Sequence, residues 1–246
     1  MTVDSDEDLE GLRRVGAVVA EARESMAAAV SPGVSTGELD AIGRDVFRRH
    51  GARSAPRLEY DFPGTTCISV NAEAAHGIPA KWRALHEGDI VNLDVSAELD
   101  GYFGDTGASV AVGAVSEEAE RLLAATKQAQ HDATAAARAG RELRSIGQAV
   151  AARARREGFT VVKNLYGHGV GRALHESPSV PSFDDGSRLP LREGVVLAIE
   201  PFLSVSADEV VELPDGWTLR TRDLSLVAQF EHSVVVTRGE PIVLTA

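Results

Sequence analysis

The sequence predicts an α+β protein made of two related halves, each pairing helices with strands. Three observations carry that expectation. Each half opens on two stretches of helical apolar spacing. Each then turns to Val- and Ile-rich runs with strand character. Finally, one motif occurs twice in the same order. His76-Gly-Ile-Pro79 precedes Gly88-Asp-Ile-Val-Asn-Leu-Asp94, and His175-Glu-Ser-Pro178 precedes Gly194-Val-Val-Leu-Ala-Ile-Glu200. Aligned on Gly88 and Gly194, Asp94 and Glu200 occupy one position, so both halves deliver a histidine and an acid.

The elements follow in order. Leu9, Leu12, Val15, Val19 and Met26 recur near a 3.6-residue period and predict a helix over about 7–30, broken by Ser31-Pro32-Gly33. Ser35 with Glu38 three residues later is a capping box, opening a helix that reaches about His50 and stops at Gly51. Asp100-Gly101 is a two-residue hairpin turn between strands. Ser116-Glu117-Glu118 opens a long Ala-rich helix to about Arg138, and a further helix runs from near Leu143 to Glu157, ending at Gly158. The helices repeat as well: Glu38-Leu-Asp-Ala-Ile-Gly-Arg-Asp-Val46 recurs as Glu142-Leu-Arg-Ser-Ile-Gly-Gln-Ala-Val150. No Pro- or Ser-rich linker divides the halves. The expectation is therefore one domain over 1–246 with internal pseudosymmetry, preceded at 1–8 by an acidic, flexible N-terminus.

Bulk properties narrow the function. A chain of 246 residues can bury a substantial core. No apolar run is long enough for a membrane span, and the acidic start lacks the basic and apolar regions of a signal peptide. A formal charge of −12 disfavours a broad nucleic-acid surface. A single cysteine excludes an internal disulfide and fits a reducing compartment, so the expected location is cytoplasmic.

The acids define the chemistry. Asp94 lies inside Ile90-Val-Asn-Leu-Asp-Val95, and a buried carboxylate needs a partner or a metal; an edge-strand acid facing water is the alternative for Asp94 alone. Pairing Leu99 with Tyr102 across the hairpin puts residue 94 opposite 107 and 96 opposite 105. Asp94 and Asp105 then share a face as diagonal neighbours roughly 7–8 Å apart. Two carboxylates aimed at one spot repel unless a cation lies between them. Glu231 falls in a probable strand over 226–236, whose alternation puts Val227, Gln229, Glu231 and Ser233 on one face; from this segment alone an outward orientation is equally open. His168 sits between glycines in Tyr166-Gly-His-Gly-Val-Gly171, which permits close backbone approach. Two Asp, two Glu and at least one His form an oxygen-rich, thiolate-free set suited to Mn, Fe(II) or Co rather than structural zinc. Four carboxylates balance two divalent ions, leaving His76 and His175 as hydrogen-bonding groups around them.

These segments are recognisable together. Cys67-Ile-Ser-Val-Asn71, His76-Gly-Ile-Pro79, Gly88 to Asp94, Gly104-Asp-Thr106, Gly167 to Arg172, His175-Glu-Ser-Pro178, Ile199-Glu-Pro201 and Gln229-Phe-Glu-His232 stand in the order found in type I methionine aminopeptidases. The chain resembles that family from about residue 8 to 237. The resemblance implies the pita-bread fold shared with proline-specific aminopeptidases and creatinase, a pseudo-twofold antiparallel sheet covered by helices. It implies Asp94, Asp105, His168, Glu200 and Glu231 as ligands of two divalent ions (Co, Mn or Fe(II)), with Asp105 and Glu231 bridging. It further implies attack by a metal-activated hydroxide, Glu200 as general base, His175 bonded to the substrate carbonyl and its oxyanion, and His76 on the scissile amide or peptide backbone. Phe62, Cys67, Leu174 and Trp217 match the methionine pocket. Two positions depart from the family pattern: Leu174 stands where an aromatic is common, and Glu59 falls near another such position.

The short stretch between His175 and Glu200 has no room for the helical insertion of type II enzymes. The expected activity is removal of N-terminal methionine from nascent chains and peptides with a small second residue. Expected partners are those chains and the ribosome, with no nucleic acid bound by the protein itself, no membrane, and a monomeric state. Two rivals remain open at this point. A proline-specific aminopeptidase or dipeptidase would share the ligands, although those relatives carry an extra N-terminal domain for which this chain has no space. A catalytically silent binding protein on the same fold would be expected to have lost ligands.

Overall fold

Helices begin where the sequence supplies a side chain to cap them. The structure, a computed structural model, describes residues 1–246. The first half contains α1 (Asp6–Ala28), α2 (Thr36–His50), β1 (Arg53–Ser54), α3 (Ala55–Tyr60), β2 (Cys67–Val70), β3 (Glu73–Ala75), β4 (Ile90–Leu99) and β5 (Tyr102–Ala111). The second half opens on two helices again, α4 (Glu117–Ala136) and α5 (Arg144–Glu157). Its strands are β6 (Thr160–Val161), β7 (Tyr166–Gly169), β8 (Glu176–Pro181), β9 (Val196–Ile199) and β10 (Phe202–Ser204), then β11 (Val210–Glu212), β12 (Leu219–Thr221), β13 (Val227–Gln229), β14 (His232–Val235) and β15 (Ile242–Val243). Ser5, Ser35, Ser54 and Ser116 cap α1, α2, α3 and α4, each accepting a backbone N–H of the first turn. At α2 the box is complete, because Glu38 accepts the Ser35 N–H at 2.9 Å, and Gly51 closes the helix in the left-handed region.

The duplication is visible in strand order. β4 is flanked by β2 and β5, and β9 by β7 and β14. The β4–β5 hairpin has the register expected from its two-residue turn: Leu99 pairs with Tyr102, Asp94 with Gly107 and Ser96 with Asp105. The two half-sheets meet along β5 and the segment before β14. Ala108 bridges Phe230, Glu231 N–H donates to Gly107 O at 2.8 Å, and Asp105 N–H donates to Ser233 Oγ at 3.1 Å.

Strand alternation decides which side is core and which is site. Val91, Leu93, Val95 and Ala97 of β4 pack with Leu12, Val15 and Val19 of α1 in one apolar cluster. The intervening residues of β4, Asn92, Asp94, Ser96 and Glu98, are polar and point the other way. In the second half Leu122, Ala125 and Ala129 of α4 and Ile146 and Val150 of α5 pack on Leu197, Ile199 and Val234. Helices thus cover one face of each half, and the opposite face is left for polar side chains.

Two expectations change. The segment 226–236 is two strands, not one: Phe230 and Glu231 lie between β13, which pairs with β10, and β14, which pairs with β9. The chain changes partner there because it crosses from a small sheet to the main one. Residues 1–8 are also not a free extension. Thr2 bridges Val195, Val3 N–H donates to Gly194 O at 2.8 Å, Met1 O accepts from Val196, the Met1 amine pairs with Glu176, and α1 begins at Asp6. Backbone pairing holds this segment, and acidic composition carries no sign of it.

Candidate active site

The exposed face of the two half-sheets converges on a cavity of about 370 Å³. Every residue singled out in the sequence lines it: His76, Asp94, Asp105, His168, His175, Glu200 and Glu231, with Phe62, Cys67, Leu174 and Trp217. They arrive from separate elements. Asp94 and Asp105 come from facing strands of the hairpin, His168 from β7, Glu200 from the residue after β9, and Glu231 from the break between β13 and β14.

The donors are crowded and buried. One donor atom each from Asp105, His168 and Glu231 lies within 4.8 Å of the others. His168 Nε2 is 3.3 Å from Glu200 Oε1 and 3.7 Å from Asp105 Oδ2. His168 Nδ1 lies 2.9 Å from the Gly169 carbonyl. A carbonyl can only accept, so Nδ1 carries a proton, and Nε2 is the nitrogen turned toward the acids. The flanking glycines are required here. A Cβ at Gly167 would strike the Ala198 carbonyl, and one at Gly169 the Ser177 carbonyl. Gly107 serves the same purpose opposite Asp94, since a Cβ there would displace the Gln229 amide that bonds Glu231 Oε2 at 3.0 Å.

Electrostatics point to the same chemistry. Burial, reinforced by Asp105 and Glu200, pushes Asp94 well above the usual carboxylate range. Burial pushes Asp105 to about 7, against the pull of His168 and with repulsion from Glu200. Glu231 is raised well above its ordinary value by burial and then by Asp105, Glu200 and Asp94. Burial opposes the imidazolium of His168, yet the hydrogen bond and charge of Glu200 and the charge of Asp105 raise it to about 9. Asp105 Oδ1 and Glu231 Oε1 are buried without a hydrogen-bond partner. Native proteins rarely leave buried carboxylate oxygens unpaired, so this donor set suits a bound cation. Oxygen-rich ligation with one imidazole fits a divalent metal of hard to borderline character.

The two further histidines differ from His168. Burial, then the nearby His168 and His76, holds His175 down to about 4, and burial lowers His76 against the pull of Glu200. Both are therefore neutral at pH 7 and able to donate a hydrogen bond from one nitrogen and accept at the other. On the apolar side, Phe62 and Trp217 meet edge to face at 5.1 Å, and Cys67, buried opposite Asp94, is kept as a thiol by burial and the Asp94 charge.

Sequence reasoning missed Tyr60, Ser96, Leu165, Tyr166 and Phe202, which also line the cavity. Tyr60 is the consequential one, because its hydroxyl lies 2.8 Å from His175 Nδ1. An aromatic ring therefore stands beside Glu59, at the place where the family pattern was broken. The signal available was the capped turn Ser54-Ala-Pro-Arg57, which starts α3 and so places Tyr60, 44% exposed, at the rim of the cavity.

Comparison with known proteins agrees with this geometry. The chain is 48% identical to methionine aminopeptidase 2 of Bacillus subtilis (strain 168), covering all of this chain and 99% of that protein. Its structure superposes on that of methionine aminopeptidase from Rickettsia prowazekii with a TM-score of 0.95, 35% identity and complete coverage of both chains. The prolidase of Pyrococcus horikoshii shares the fold, at 21% identity and a TM-score of 0.76, over 98% of this chain and 62% of that one. The model of metallopeptidase family M24 matches residues 10–238. With that match spanning both halves and the acids and histidine gathered in one cavity, the chain belongs to metallopeptidase family M24.

Proposed function

We propose that the chain removes N-terminal methionine from peptides and nascent chains as a metal-dependent aminopeptidase. The observation that carries this reading is the apolar wall of Phe62, Cys67, Leu174, Phe202 and Trp217 standing beside the buried acid–histidine cluster in one cavity. A flexible, polarisable thioether suits such a wall, and sulfur–aromatic contact adds about 0.3–1.5 kcal/mol. The curated relative from Bacillus subtilis, matched over its full length, carries the same named activity.

Asp94, Asp105, His168, Glu200 and Glu231 are the residues that would hold two divalent ions. When bound, such ions supply a Lewis acid for the scissile carbonyl and lower the pKa of water so that a nucleophile exists at neutral pH. The protein's own groups complete the reaction. Glu200 takes the proton of the attacking water and passes it to the departing amine. His175 donates a hydrogen bond to the carbonyl oxygen as negative charge develops there, and His76 holds the scissile amide. The donor set suits Mn, Fe(II) and Co alike. In this reading residues 1–246 act as one catalytic unit, a monomer working in the cytoplasm on chains emerging from the ribosome.

The test is release of methionine from Met-Ala-Ser by chelated protein resupplied with Mn(II), Co(II) or Fe(II), beside an Ala-Pro peptide. Metal-dependent methionine release with Ala-Pro intact is the expected result. Cleavage of Ala-Pro, or of neither peptide by folded, metal-loaded protein, would reject it.

A further inference from the structure

The loop that carries His175 is held from three directions. Glu176 Oε1 accepts the backbone N–H groups of Arg172 and Ala173 at 2.6 and 3.0 Å. From the last turn of α3, Glu59 Oε2 accepts the Leu174 N–H at 3.3 Å. Tyr60, the next residue of α3, reaches the imidazole itself, with its Oη 2.8 Å from Nδ1 and the two rings 5.5 Å apart. Nε2 of His175 has no hydrogen bond to the protein. The imidazole therefore has a single hydrogen-bonded anchor, a phenol, on the nitrogen nearer the backbone.

We propose that Tyr60 is a positioning residue that locks His175 in the tautomer carrying its proton on Nε2. Of the two ways to share one hydrogen between a phenol and a neutral imidazole, donation by the phenol is the stronger. Phenol O–H is far more acidic than a neutral imidazole N–H, and the imidazole nitrogen is the more basic acceptor. Nδ1 then accepts from Tyr60, and the remaining ring proton must sit on Nε2, the nitrogen free to face the cavity. That is the nitrogen a substrate carbonyl would need as a donor, so the inference rests on the role given to His175 above. Without the phenol the ring divides between two tautomers and can rotate, and the fraction ready to donate falls. Glu59, standing where an aromatic was expected, holds the loop backbone while Tyr60 sets the ring. The pair form one clamp at the end of α3.

The test is Tyr60→Phe, which keeps the ring and removes the hydroxyl. Enzyme with 15N-labelled histidine, loaded with diamagnetic Zn(II), reports the protonated nitrogen of each ring. The His175 signals are assigned by their loss in His175→Asn. The wild type should show His175 protonated at Nε2, and Tyr60→Phe a mixture of tautomers. Turnover of Met-Ala-Ser by Mn(II)-loaded Tyr60→Phe should fall about five- to tenfold in kcat, the effect of one lost hydrogen bond, with KM and Mn(II) affinity within about twofold of wild type. A wild-type His175 protonated at Nδ1, or a variant with unchanged tautomer and unchanged kcat, overturns the inference. If the wild type fails to release methionine at all, the proposed function falls, and the tautomer measurement still decides the Tyr60 hydrogen bond.

Discussion

Thr106→Val tests whether the two acids placed at the centre of the cluster are held apart by a buried hydroxyl. Thr106 is fully buried, next to Asp105. Its Oγ1 accepts from Arg23 Nη1 at 2.6 Å and donates to the Glu231 carbonyl at 3.0 Å. Arg23, on α1, also donates to Thr245 O at 3.1 Å, so it ties the helix layer to β5 and to the C-terminal segment. Valine keeps the shape and β-branching of threonine while removing both bonds. The neutral bond contributes about 1 kcal/mol and the charge-assisted one about 2, so the variant should lose about 3 kcal/mol. For a chain of this size each kcal/mol moves Tm by about 2–4 °C, which predicts a fall of about 6–12 °C in chelated protein by calorimetry. The spacing of Asp105 and Glu231 should loosen as well, and Mn(II) affinity by titration calorimetry should weaken about tenfold or more. A Tm within about 2 °C of wild type together with unchanged Mn(II) affinity would refute the reasoning.

Other perturbations have defined outcomes. Glu200→Ala and His175→Ala should yield folded proteins that release almost no methionine, and substantial turnover by either would count against its assigned role. Trp217→Ala opens the apolar wall and should lower kcat/KM for Met-Ala-Ser about tenfold or more, mainly through KM, as measured by steady-state kinetics. In metal-free protein Asp105 has its pKa raised to about 7 against an ordinary 3.8, so the folded state binds more protons than the unfolded one between those values. The stability contributed by this group is fully present below about 3.8 and is lost as pH rises through 7. Melting of chelated protein should therefore fall across that window. Resupplying Mn(II) should restore Tm most at the alkaline end, and a chelated protein that gains stability from Asp105 as pH rises would contradict the assignment.

Legibility in the sequence followed the range of the interactions. Ser5 was not singled out, yet Ser35 with Glu38, Ser116 and the closing glycines placed three helices to within a residue or two, because caps act over one turn. The shared face of Asp94 and Asp105 was readable because a two-residue turn leaves a hairpin one register. Glu231 was harder. Its alternation with Gln229 survives in their 3.0 Å bond, but the change of strand partner at Phe230 leaves no mark in an apolar run that continues through it. Tyr60 escaped because α3 has six residues, too few to show a period.

By itself the sequence determined the local pieces: helix limits, the hairpin register, glycines where backbones crowd His168, and the repetition of a histidine and an acid in two halves. Only the tertiary structure decided that Asp94, Asp105, His168, Glu200 and Glu231 meet, that residues 1–3 pair with the strand region near Val195, and that Tyr60 touches His175. The physical reason is separation along the chain. Caps and turns are settled by neighbours within a few residues. The site forms only when two apolar layers bury their helices and bring β5 against the segment at Glu231, which gathers five dispersed acid and imidazole side chains in one cavity.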